Sequence, residues 1–194
     1  MVELVAAPAV HWASALLLAG IFLPSAWSKL RAIDEVIGVV ADYRILPEPL
    51  VEPFARALPW LEIAAGVLLL VPPTRPLGAV LGAGLLLVFA VAMAVNLARG
   101  RREIDCGCFL GRQKERIGWP LVARNLLLAS AAALLLVEPA ALLPRPAELV
   151  PVLFGSAALL ALYAAFSRLA GLAPIPRAHA GRRTQTRPRA HGGR

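Results

Sequence analysis

Residues 77–98 read LGAVLGAGLLLVFAVAMAVNLA, a run with one polar side chain, Asn96, and no charge. A helix rises about 1.5 Å per residue, so a run of this length crosses the ~30 Å hydrocarbon core of a bilayer. Three further stretches approach or match it: Val10–Trp27, Gly118–Val137 and Leu149–Ser167. A fifth, from about Ala57 to Pro73, is shorter and contains Glu62. The whole chain agrees with this reading, being 59% hydrophobic and 16% charged, with a mean hydropathy of +0.70. Ordinary soluble domains lie well below that apolar content. The expected fold is all-α, a polytopic membrane helix bundle with spans at about 10–27, 57–73, 77–98, 118–137 and 149–167 in one domain covering residues 1–170. Pro24 falls in the first span, which neighbouring helices tolerate by satisfying the freed carbonyl.

The connecting segments set the rest of the organisation. Residues 1–10 hold no Lys or Arg, and the run that follows is long for a cleaved leader, so the first span is read as permanent. Between Lys29 and Arg56, Ile33, Val36, Ile37, Val40 and Ile45 alternate with Asp34, Glu35, Asp42 and Arg44. This pattern predicts an interfacial amphipathic helix, ended by a turn at Pro47-Glu48-Pro49. Residues 171–194 are rich in Arg, Pro and Gly without apolar periodicity, and are expected to form a disordered basic tail.

Charge placement predicts an orientation. All but Arg75, Arg124 and Arg145 of the 20 basic residues fall after spans one, three and five. By the positive-inside rule those segments are cytoplasmic, the N-terminus is outside, and the protein is a multi-pass protein of the cell inner membrane. The net charge of +8 then attracts anionic membrane lipids. Nucleic acid is not an expected partner, because the basic tail has neither a folded surface nor interleaved aromatics.

Threading five spans up and down brings the polar intramembrane residues to one level: Lys29, Glu62, Asn96, Arg124 and Asn125. Ionisable side chains in a span are costly and usually pair or line a functional cavity. We expect a polar pocket in which Glu62 pairs with Arg124 or Lys29, lying against the loop that contains Asp105. The competing reading is structural, with Lys29 and Arg124 snorkelling to head groups and Glu62 near the start of its helix. Gly78-x-x-x-Gly82 reads as a site of close helix packing inside the bundle.

That loop, Asp105-Cys106-Gly107-Cys108-Phe109-Leu110-Gly111, holds both cysteines of the chain. A Cys-Gly-Cys unit closes a small, strained disulfide ring suited to exchange rather than to stapling a fold. Cys106 and Cys108 are therefore the candidate catalytic pair. Exchange needs a thiolate, which Arg101, Arg102, Arg112 and Lys114 favour and Asp105 opposes. A pair of inert buried thiols is the alternative. No metal site is expected, since His11, His179 and His191 lie far from the pair.

These residues carry a resemblance. The order Lys29-Leu30, Tyr43-Arg-Ile-Leu-Pro47, Leu58-Pro-Trp-Leu-Glu62, Asn96-Leu-Ala-Arg-Gly100, the Cys-Gly-Cys loop and Arg124-Asn125 resembles the methylamine-utilisation protein MauE family, among the DoxX-like redox-associated membrane proteins. Leu110 stands here between Phe109 and Gly111, where the family's run is Phe-Gly. The resemblance covers about residues 10–137 and implies a DoxX-like four-helix core plus a fifth transmembrane helix. It also implies a helper in thiol–disulfide exchange that supports maturation of a client such as the methylamine dehydrogenase small subunit, beside a thioredoxin-like protein. That client lies outside the cell membrane, whereas charge places the Cys loop inside. Either reducing equivalents cross the bundle, or the topology is reversed, or the client is cytoplasmic. No cofactor is required by this reading. The alternatives are a quinone- or lipophile-binding subunit of an oxidoreductase, and a non-catalytic membrane anchor or chaperone.

Overall fold

The computed structural model describes residues 7–107, 116–137 and 143–172, with side chains described as far as residue 166. Within them the chain forms α1 (Pro8–Arg31), α2 (Ile33–Tyr43), α3 (Glu48–Leu70), a 3-10 turn (Pro72–Thr74), α4 (Arg75–Ala98), α5 (Trp119–Leu134) and α6 (Pro146–Leu172). The architecture is an all-α polytopic membrane bundle. Four helices, α1, α3, α4 and α6, are long and apolar enough to cross a membrane, while α5 is apolar but shorter, at 16 residues. Cys108, Arg112, Lys114 and the tail from residue 173 lie outside the described residues.

Local chemistry explains the boundaries. At Ala32 the backbone leaves the helical region, which separates α1 from α2. Asp34 and Glu35 in the first turn of α2 complement its dipole. Arg44, at φ 48°, ends α2 in the left-handed region. Expectation and structure part at the proline pair. Pro47 and Pro49 do not merely close a turn: Pro49 sits in the first turn of α3, where a missing N–H costs nothing. The second span thus begins at Glu48 rather than near residue 57, and Glu62 lies deep in α3 rather than one turn from its start.

The α3–α4 connection is a capped hairpin. Thr74 Oγ1 donates to the carbonyls of Leu68 and Val71, both at 3.1 Å, and Arg75 Nε donates to Leu69 O at 3.1 Å. These bonds satisfy carbonyls that the end of α3 would otherwise leave open inside an apolar environment. Gly78 then lets α4 lie directly on α3. A Cβ there would stand 2.7 Å from Leu69 N and 2.9 Å from Leu68 C, both backbone atoms.

Around the bundle, α1 packs on α3, α3 on α4 and α4 on α5, with lighter α1–α5 contact closing a four-helix core. The core includes Leu18, Phe22, Leu58, Leu69, Leu86 and Leu128. α6 rests mainly against α1 and leaves Val150, Leu153, Phe154 and Leu162 exposed, as a lipid-facing helix should. α2 lies across α3, with Val36 buried and its acidic residues exposed. Exposed Trp27 and Trp119 stand at the end of the bundle that carries the Cys loop, and Arg31 covers the Trp27 ring at 4.7 Å. Amphipathic indoles of this kind sit well at a membrane–water interface.

Candidate functional site

The site begins with a one-turn spacing. Ser25 and Lys29 are four residues apart on α1, so they share a face, and that face meets Glu62 of α3. Lys29 Nζ donates to Glu62 Oε1 at 2.8 Å and Oε2 at 3.0 Å, and also to Ser25 Oγ. Ser25 Oγ in turn donates to Glu62 Oε1 at 3.3 Å. Lys29 is 3% exposed and Glu62 1%, so the charges neutralise each other away from water. Of the two partners expected for Glu62, the structure selects Lys29.

Arg124 serves another group. It stands early in α5, where its Nη2 reaches Cys106 Sγ at 3.8 Å and its guanidinium covers the Tyr163 ring of α6 at 5.1 Å. A cation beside a sulfur favours the thiolate over the thiol. Cys106 itself is part-buried against the cluster of Met93, Leu97, Ile104 and Leu121.

The loop around Cys106 is held from both flanks. Ile117 N donates to Ile104 O at 3.0 Å, Asp105 and Arg116 form an isolated antiparallel bridge, and Arg116 pairs with Glu103 at 2.9 Å. Asp105 Oδ1 accepts the Gly107 N–H at 3.2 Å, an Asx turn. Gly107 has φ 71°, and a Cβ there would meet Val39 Cγ1 of α2 at 3.0 Å. Both facts favour glycine, the first by backbone strain and the second by a tight contact that Val39 would have to yield to. The interfacial helix therefore lies directly over the residue after Cys106.

Asn96 braces this arrangement from α4. Its Nδ2 donates to Tyr43 O at 3.0 Å and Ala92 O at 3.1 Å, while its Oδ1 accepts from Arg101 Nη1 at 2.8 Å. It is fully buried. Asn96 thus ties the end of α2 to α4 and to the segment leading into the Cys loop.

Between these groups lies a cavity of about 180 Å³. Lys29, Glu62, Asn125 and Cys106 line it together with Ser25; Phe22, Phe54, Leu86 and Met93 are among its many apolar walls. Asn96, Asp105 and Arg124 stand behind it as supports rather than in its lining. Ser25, Val39 and Tyr163 were not singled out in the sequence. The Ser25–Lys29 spacing is a readable signal, but the approach of Val39 to Gly107 and of Tyr163 to Arg124 depends on how helices cross. Among the described residues no three or more His, Cys, Asp or Glu side chains gather as a metal site would require.

Comparison with known proteins gives a consistent answer. Residues 7–138 match the family described as methylamine utilisation protein MauE. The chain is 42% identical over 173 residues to the methylamine utilization protein MauE of Paracoccus denitrificans, covering 89% of this chain and 93% of that protein. It is 43% identical over 140 residues to the protein of that name from Methylophilus methylotrophus, covering 72% and 74%. With the one from Methylorubrum extorquens it shares 45% identity over 130 residues, covering 65% and 68%. No solved structure matches the chain.

Proposed function

The chain belongs to the MauE family of methylamine utilisation proteins, and from that premise we propose that it is an integral membrane thiol–disulfide helper acting through Cys106 and Cys108. The observation that carries this reading is the Arg124 guanidinium on Cys106 Sγ at the edge of a lined cavity. An inert structural cysteine needs no buried cation.

The exchange runs as follows. With the pair oxidised, a client thiolate attacks one sulfur, and the other leaves as a thiolate that takes up a proton. The client's second thiolate then attacks its own sulfur in the mixed disulfide. The client departs with a disulfide, and Cys106 and Cys108 are left as two thiols. Arg124 stabilises the sulfur of Cys106 whenever it carries charge. Gly107, at φ 71°, has the backbone freedom that a small Cys-Gly-Cys ring calls for. The client class is a disulfide-dense protein of methylamine utilisation such as the methylamine dehydrogenase small subunit, approached directly or through a thioredoxin-like protein.

The test is trapping. Cys106→Ser and Cys108→Ser should each abolish client maturation, and one should accumulate a reductant-sensitive mixed disulfide containing the partner. Full function in both variants, with no trapped species, would leave the bundle as a scaffold and sink the exchange reading. The charge distribution puts the basic end of the bundle, and with it the Cys loop, in the cytoplasm, so in this reading the client meets the pair on that side. Cys106 should then react with a membrane-permeant maleimide and not with an impermeant one added to intact cells; efficient labelling from outside would reverse the orientation.

A further inference from the structure

The cavity asks for an occupant of a particular chemistry. Its walls are almost entirely apolar, which excludes a sugar or a peptide. Its one ion pair is internally neutralised, since Lys29, Glu62 and Ser25 bond to one another, so nothing invites a charged ligand. One group is left over. Asn125, which lines the cavity and is 3% exposed, has its Nδ2 buried without a hydrogen-bond partner among the described residues. A buried amide donor left unpaired is costly and so marks where a ligand acceptor belongs. Val88 and Ile45, which also line the cavity, are exposed and apolar, so the cavity reaches an apolar part of the bundle's surface. The ligand comes from the bilayer, is uncharged, and accepts a hydrogen bond. Cys106 lines the same cavity.

We propose that this cavity binds a lipid-soluble para-quinone, whose carbonyl accepts from Asn125 Nδ2 and whose ring lies against Cys106, and that the quinone reoxidises the Cys106–Cys108 pair. The reaction balances without another reagent. The two thiols give up two electrons and two protons and form one S–S bond, and the two quinone carbonyls become the two hydroxyls of the quinol. This proposal rests on the exchange reading above and supplies its electron acceptor.

The experiment uses the full chain in lipid nanodiscs, reduced, freed of reductant and kept anaerobic, with decylubiquinone as the probe. Quinol is read by ultraviolet absorbance and thiols by mass shift with maleimide, while a separate quinone-free assay follows disulfide exchange with a small dithiol. Wild-type protein should lose two thiols and form one quinol per chain. Asn125→Leu, which removes the donor, should bind decylubiquinone about tenfold more weakly. Ala92→Phe, which fills the cavity from α4, should do the same by a different route, so a folding defect in one variant leaves the other to decide. Cys106→Ser should form no quinol. If the pair exchanges with the dithiol but no quinol appears, the quinone proposal falls and the exchange reading stands. If decylubiquinone binds equally well to wild type, Asn125→Leu and Ala92→Phe, it is partitioning like any acyl chain and the proposal is again overturned. Failure of the dithiol assay itself defeats the exchange reading, and the proposal with it.

Discussion

The Lys29–Glu62 pair offers the sharpest test of the packing. At 2.8 Å and an effective dielectric near 20, Coulomb attraction is about 6 kcal/mol. Burying each ion costs several kcal/mol in the other direction, so the intact pair is close to neutral for stability. Half a pair is a different matter. Lys29→Met leaves a 1%-exposed carboxylate with Ser25 as its remaining donor, and should cost about 3–5 kcal/mol. Glu62→Gln leaves the ammonium with two neutral acceptors, Ser25 Oγ and the amide oxygen, and should cost about 2–3 kcal/mol. The double variant Lys29→Met/Glu62→Leu removes both charges and should lie within about 1–2 kcal/mol of wild type. Denaturant unfolding in a fixed detergent mixture, followed by circular dichroism, measures all of these. Additive effects of the Lys29 and Glu62 changes would refute the pairing. Coupling of Glu62 to Arg124 would refute it too, since these two should act independently within about 0.5 kcal/mol.

Other expectations concern the loop and the hairpin. Arg124→Gln should slow alkylation of reduced Cys106 at neutral pH about tenfold by removing the cation that favours its thiolate, with Arg124→Lys recovering part of the rate; unchanged kinetics would separate the guanidinium from the sulfur's reactivity. Gly107→Ala should cost about 1–2 kcal/mol through its positive φ, and adding Val39→Ala should return the steric share, as read by thermal unfolding. Gly78→Ala should destabilise the bundle by about 1–3 kcal/mol, because a Cβ there meets the immovable backbone of α3; an unaltered unfolding midpoint would mean that α3 and α4 lie farther apart.

Much of this architecture was legible in the chain because a bilayer imposes length and composition on every element. The run at 77–98 becomes a helix from 75 to 98, and the alternation after Lys29 becomes α2. α3 was harder to read, since Pro47, Pro49, Pro53 and Pro59 look like breakers. The residues that surround them place Pro49 where its missing N–H is harmless and bury Pro59 in the core. For the site, threading brought Lys29, Glu62, Arg124 and Asn125 to one level. It did not assign partners, because choosing Lys29 over Arg124 for Glu62 depends on helix rotation, which an apolar pattern with lipid on the outside leaves undetermined. Asn96 looked like one more pocket residue. Its amide instead closes on backbone carbonyls and Arg101, a role visible only when α2 is seen lying beside α4.

The capped turn between α3 and α4 has a consequence for how the chain enters its membrane. Of the four candidate spans α3 is the least apolar and α4 the most, and α3 carries Glu62 and two internal prolines. An isolated carboxylate near the middle of an inserting helix opposes insertion by about 2.5–3.5 kcal/mol. A three-residue turn joins the reluctant helix to the willing one, and the carbonyls at the end of α3 are already bonded to Thr74 and Arg75. A hairpin joined this tightly is expected to partition as a unit, the apolarity of α4 offsetting the carboxylate of α3, which Lys29 of α1 then neutralises.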